Sequence, residues 1–182
     1  MRADLPAPTA AALDGCDRPS LVFDLARIEV NLRAIQVAAR AENVTVLFAA
    51  KSFPRPEVWA LAARWFDGFD AASEGELGAL PPARVISIVD PTGRAGGSAR
   101  CERLIVGCET VDQARAAPAR AEIAIRLSAS LTGRDPAIGA VQDGSGHRRS
   151  RFGLDVDPAR RRDTLGELAR AANGRPIGVH VH

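Results

Sequence analysis

The sequence predicts an α/β fold, an incomplete (β/α)8 barrel of the TIM type with about six strand–helix units. Three observations predict it. Short apolar, β-branched runs alternate with segments of helical period, as parallel strands joined by helices require. Side chains capable of chemistry recur at the carboxyl ends of those runs, the edge where barrel active sites are built. The units number about six, whereas a closed barrel needs eight strands and typically ~250 residues.

Composition sets the outer limits. With 46% hydrophobic and 25% charged residues over 182 positions and a net charge of +2, the chain has enough apolar sequence for one core and little polyelectrolyte character. The basic runs Arg148-Arg149-Ser150-Arg151 and Arg160-Arg161-Arg162 are short, and read as solvated faces or anion sites, so no nucleic-acid partner is expected. Three cysteines, Cys16, Cys101 and Cys108, form no C-x-x-C, which argues against a disulfide framework or a cysteine-rich zinc site and points to a reducing, cytoplasmic compartment. No apolar run approaches the roughly 18 residues of a membrane helix, and the opening residues lack the apolar core of a signal peptide, so no membrane partner is expected.

Residues 1–19, rich in Ala and Pro, are expected to be a loose leader, with residues 20–182 as the barrel domain. Leu21-Val22-Phe23 reads as a short strand. Asp24 then caps a helix to about residue 41 whose apolar positions Ile28, Leu32, Ile35 and Ala39 recur at helical spacing. The strand-like run Val44-Thr45-Val46-Leu47-Phe48-Ala49-Ala50 leads into Lys51. A helix over 57–66 should bury Val58, Leu61, Ala62 and Trp65, and a strand follows at 68–72. Ser73 caps a helix over 74–80, with Glu76 at its third position as in a capping box. Further strands are expected at 84–89, 103–107, 122–127 and 176–181. Helices are expected at 97–102, 110–117 and 158–172, the last with Asp157 as cap and Pro158 as its first residue. The glycine-containing stretch 128–147 fits no element; it reads as a loop on the active-site side, either closing over a ligand or an insertion without a role.

Lys51 stands out among the strand-end residues. A lone ammonium at the end of a buried strand is costly to desolvate unless it is paired or used as an amine. Asp70 with Ser73, Arg126, the Arg151-Phe152-Gly153 segment, and His180 with His182 fall on the same edge. His180 and His182, two apart on a strand, share a face; such a pair can hold a metal, but no Asp, Glu or Cys cluster at ligand spacing accompanies it, and no metal is assigned. A packed, hydrogen-bonded role serves either histidine equally well.

Four of these segments together resemble a family. Ala49-Ala50-Lys51-Ser52 looks like the cofactor-lysine motif of the pyridoxal-phosphate-dependent decarboxylases acting on ornithine, lysine, arginine and diaminopimelate, whose barrel is of the alanine-racemase type. Phe69-Asp70-Ala71-Ala72-Ser73-Glu74-Gly75-Glu76-Leu77 is similar to the family's D-x-A-S-x-x-E-L segment. Ser150-Arg151-Phe152-Gly153-Leu154 resembles S-K-F-G-L, and Gly178-Val179-His180-Val181-His182 resembles G-x-H-x-H. They occur in the family's order, from about residue 20 onward.

The resemblance implies pyridoxal 5'-phosphate as cofactor and Lys51 as the catalytic lysine, forming the internal Schiff base and later moving protons. It implies that His182 stacks on the cofactor ring, that Asp70 and Arg126 build the site around cofactor and lysine, and that Ser73 and Glu76 position the neighbouring helix. Arg151 stands where the family has lysine; it keeps the charge with a different geometry. In the family, the glycine-rich phosphate loop, the acidic partner of the ring nitrogen and the carboxyl-terminal β-domain follow the point matching His182. The expectation is therefore the N-terminal barrel portion of a decarboxylase, inactive by itself and completed by a C-terminal polypeptide or a homodimer. A pyridoxal-phosphate-binding protein that does not decarboxylate, and a non-catalytic partner subunit, remain as alternatives.

Overall fold

The computed structural model describes residues 7–93, 96–127, 153–154 and 161–181. The chain divides into two compact units, Met1–Thr45 and Val46–His182, later than the boundary after residue 19 that composition suggests.

The first unit holds helices α1 (Ala7–Asp14) and α2 (Leu25–Ala41). Helix α1 lies inside the stretch expected to be a loose leader, where four alanines favour helix. Leu21-Val22-Phe23 is not a strand, and Leu21 is 87% exposed. Asp24 caps α2 as expected, its carboxylate accepting from the Arg27 N–H at 3.0 Å. The buried positions of α2 are Leu32 and Gln36, whereas Ile35, one of the apolar positions at helical spacing, is half exposed. The helix ends in a Schellman closure: Asn43, at φ 54°, and Val44 donate to the carbonyls of Arg40 and Ala39.

The second unit is built on six strands, β1 (Leu47–Ala49), β2 (Gly68–Ala71), β3 (Ala83–Ile88), β4 (Cys101–Cys108), β5 (Glu122–Arg126) and β6 (Ile177–His180). All adjacent pairs are parallel, and the spatial order is the chain order, β1-β2-β3-β4-β5-β6. In parallel sheets whose strands are added always on the same side, right-handed crossovers put the connecting helices on one face. That face is the core. Phe69, Ala71, Ile86, Ile88, Leu104, Val106, Cys108, Ile123 and Ile125 alternate onto it and are all buried. The order is compatible with part of an α/β barrel and excludes the strand-order reversal of a doubly wound sheet.

Helices α3 (Pro56–Trp65), α4 (Glu74–Ala79), α5 (Val111–Ala116) and α6 (Arg161–Ala172) supply the opposing apolar surface through Val58, Trp59, Leu61, Leu77, Ala114 and Leu168. In α3, Trp59 is buried where the sequence pattern favoured Trp65, which is only half-buried. Ser73 and Thr110 cap α4 and α5, their hydroxyls accepting from Glu76 and Gln113 N–H groups at 3.2 and 3.1 Å. Glu76 reaches back to the Ala72 N–H at 2.8 Å, so the expected capping box forms one residue earlier than its usual target. Asp157 and Pro158, the expected start of the last helix, lie outside the described residues, as does the stretch 128–147.

The helix expected at 97–102 does not form. Gly96, at φ +111°, Gly97 and Ser98 resist helix, and Cys101-Glu102 already belong to β4. The connection still covers the core. Ala99 is buried, and a Cβ placed on Gly96 would touch the side chains of Ile88, Leu104 and Val106 at 3.6–3.7 Å.

Arg175 joins the last helix to the last strand. Its guanidinium donates to five carbonyl oxygens: Ala171 and Ala172 at the end of α6, and Ala114, Ala117 and Pro118 at the end of α5, at 2.7–3.2 Å. A single cation thereby serves carbonyls at two helix termini, of which those of Ala172 and Pro118 also accept a backbone N–H, and opposes both dipoles.

Candidate functional site

The face of the sheet opposite the helices is only partly covered. Leu47, Ala49, Asp70, Ser87, Ile105, Glu122, Ala124, Arg126 and His180 alternate onto it, and all are of intermediate exposure. Asp70, Arg126 and His180 lie toward the carboxyl ends of their strands, whereas Glu122 begins β5 at the other end.

Lys51 sits immediately past β1 in a single 3-10 turn, Ala50–Ser52. The turn is anchored from below by Ala50, which is fully buried, and is closed by the Ser52 hydroxyl donating to the Ala49 carbonyl at 2.6 Å. Lys51 itself is exposed, and it forms no ion pair with a described residue. The expected desolvation penalty is thus absent. The strand is only three residues long and half-buried, so it hands the lysine to solvent instead of carrying it into the core. Asp70 neighbours this position: it pairs in register with Ala49 on one side and Ser87 on the other. It also lacks an ion pair to a described residue.

A second group lies at the ends of β4, β5 and β6. The register pairs Cys108 with Ile125, which sets Glu109 beside Arg126, and it pairs Arg126 with His180. A carboxylate, a guanidinium and an imidazole therefore occupy one row across three adjacent strands. The Arg126 guanidinium donates to Glu109 Oε1 at 2.8 Å, with the side chains only 15% and 16% exposed, the most enclosed ion pair among the described residues. Glu109 is held in turn: its N–H donates to the Gln113 side-chain oxygen at 2.6 Å, while the Gln113 amide N–H donates to the Pro91 carbonyl at 3.0 Å.

The chain returns to this row at Gly153-Leu154. The Leu154 N–H donates to the Arg126 carbonyl at 2.7 Å, and Leu127 and Leu154 form a parallel bridge. Gly153 has φ +89°, a conformation that glycine adopts without strain, which accounts for glycine at this point of the motif. Arg151 and His182 lie outside the described residues, so the structure gives neither a place.

The sheet thus divides the expected residues into two groups. Lys51 and Asp70 belong to β1 and β2, while Arg126, His180 and the Gly153-Leu154 segment gather at β5 and β6. Glu109 and Gln113 escaped the sequence reading; the available signal was an acid directly after a strand and directly before the helix cap Thr110. Among the described residues no group of three or more His, Cys, Asp or Glu side chains is placed to hold a metal. Cys108 is fully buried, and burial pushes its thiol up to about 11, which disfavours the thiolate.

The exposed primary amine fits the chemistry of an aldehyde cofactor. The inner face near the edge is lined by the small residues Ala49, Ala124 and Gly178, and a Cβ at Gly178 would meet nothing closer than 4.0 Å. No described helix is long and apolar enough to cross a membrane. No family model matches the chain, and a search of the curated proteins finds no match.

Proposed function

We propose that this chain is the N-terminal barrel portion of a pyridoxal-phosphate-dependent amino-acid decarboxylase of the ornithine, lysine, arginine or diaminopimelate type, its sheet forming part of a (β/α)8 barrel. The observation that carries the reading is the exposed Lys51 amine on an anchored turn at the carboxyl end of the first sheet strand. Asp70, Gly153-Leu154 and His180, from three further motifs, stand at or near that same edge, as does Arg126 at the end of β5.

When bound, pyridoxal phosphate would supply an electron sink for the charge left by the departing carboxylate. The chain's own residues do the rest. Lys51 would hold the cofactor through its amine and would carry a proton to and from the reacting carbon. Arg126 presents a fixed positive charge to an anionic group of cofactor or substrate. Asp70 and His180 orient polar groups over the inner face; the family resemblance adds His182 against the ring and Arg151 as a second cation. We assign neither a phosphate cradle nor a ring-nitrogen partner among the described residues.

The β6 edge supports a partner. Among the described residues strand β6 pairs with β5, and Ile177, Val179 and Val181 are 49%, 67% and 74% exposed. A row of exposed aliphatic side chains favours cover by further structure, from a complementary polypeptide or a second copy.

The test is to soak the full chain with pyridoxal phosphate, reduce with borohydride and map pyridoxyl groups by mass spectrometry. Label on Lys51 that other lysine-reactive aldehydes do not reproduce, and that Lys51→Arg removes, supports the proposal. Absence of label at Lys51 refutes it.

A further inference from the structure

We propose that Glu109 is a positioning residue for Arg126, and that Gln113 anchors it, so that the guanidinium is held in one orientation at the carboxyl edge of the sheet. The inference rests on the reading above for its functional meaning, but its geometry is independent of it.

The argument begins with what an arginine at a strand end costs to order. A free Arg side chain loses about 2 kcal/mol of rotamer entropy when fixed, and Arg126 is the last residue of its strand. Two neighbours in the same row restrict it. Glu109 occupies the β4 side and accepts its N–H at 2.8 Å, and His180 is its register partner on the β6 side.

Glu109 could itself swing away, because it stands just outside β4. It is prevented from doing so at the backbone: Gln113, one turn into α5, accepts the Glu109 N–H at 2.6 Å and is tied through its amide to the Pro91 carbonyl. Gly93 completes the lock, since even a methyl group there would stand 2.7 Å from Gln113 Cγ. The loop after β3, the end of β4, the first turn of α5 and the end of β5 thus converge on one guanidinium.

This differs from the exposed pairs elsewhere on the sheet. Arg103 donates twice to Glu122 at 2.7 Å, but its side chain is 48% exposed and the pair lies near the opposite strand ends. Exposed pairs of that kind contribute little and constrain little. The enclosed pair orients a charge where an anionic ligand group would meet it.

The experiment compares wild type, Glu109→Gln and Glu109→Asp in the full chain, with two readouts. Phenylglyoxal modification, mapped by mass spectrometry, reports how accessible each guanidinium is. Arg126 should react at least 3-fold faster in Glu109→Gln than in wild type, while Arg103 is unchanged, and Glu109→Asp should restore most of the protection. Equal Arg126 reactivity in wild type and Glu109→Gln overturns the proposal, as does a parallel rise at Arg103, which would report general loosening. Pyridoxal phosphate titration of the same proteins gives the second readout. If wild type binds, Glu109→Gln should weaken binding by about 5-fold with Glu109→Asp close to wild type; unchanged binding removes the functional role. If wild type does not bind, the cofactor assignment fails while the modification rates still decide whether Glu109 positions Arg126.

Discussion

Replacing Arg175 by methionine keeps most of the side chain's aliphatic bulk and removes every donor, leaving five carbonyl oxygens at the ends of α5 and α6 without their shared cation. A hydrogen bond with one charged partner contributes about 1.5–3 kcal/mol net, so simple addition over five would exceed 7 kcal/mol. That sum is too large. Two of the guanidinium nitrogens each serve two carbonyls, which weakens the individual bonds. The adjoining cavity of about 440 Å³, lined by Arg115, Arg170, Asn173 and alanines, also lets water reach part of the cluster. Counting three effective bonds at about 1 kcal/mol each, plus a few tenths for two uncompensated helix dipoles, gives a loss of about 3 kcal/mol. Urea denaturation followed by circular dichroism measures it as a lowered midpoint at constant slope. Arg175→Lys should recover less than half, because an ammonium cannot span two helix ends in one plane. A loss below about 1 kcal/mol for Arg175→Met would refute the view that this residue binds α5, α6 and β6 together.

Two further outcomes follow from the same coordinates. Gly68→Ala places a Cβ 1.7 Å from the Val85 carbonyl oxygen, so β2 and β3 must separate; the variant should lose more than about 3 kcal/mol or fail to accumulate as folded protein, and near-normal stability in the same denaturation assay would contradict the close strand approach. In acid, Glu74 and Glu122 report on the fold. The Ser98 hydroxyl and Gly96 N–H hold the Glu74 carboxyl below its ordinary range, and the Arg103 guanidinium does so for Glu122. Because both folded-state values are depressed, their contributions are present above the ordinary glutamate range and are lost as pH falls through it. The unfolding midpoint should therefore drop below about pH 4.5, more shallowly in the double variant Glu74→Gln/Glu122→Gln; an unaltered slope would discount both carboxylates.

Much of the local structure was legible because it is decided within a few residues. Asp24, Ser73 and Thr110 each supply a cap to the N–H three positions on, and the helices begin where those residues stand. Strand positions were equally readable from apolar runs that must pair. Errors came where a segment's fate depended on distant neighbours. Leu21-Val22-Phe23 has strand-like composition yet pairs with no described strand, and the helix expected at 97–102 gives way to Gly96-Gly97 and the start of β4. For Lys51, the motif identified the residue while the burial assumed for it was wrong, since exposure depends on how far the sheet extends past it.

The one-dimensional pattern determined that this chain makes parallel strands joined over one face, because alternation of short apolar runs with capped helices admits few other arrangements, and it determined which strand ends carry reactive side chains. Register and packing decided the rest. That Glu109 stands beside Arg126, 17 residues away, follows from the pairing of Cys108 with Ile125, a long-range alignment set by the whole sheet and written in no local motif. Likewise the bare flank of β6 exists because side chains two apart point the same way and no described element lies against them, a fact of three-dimensional neighbourhood that hydropathy alone does not express.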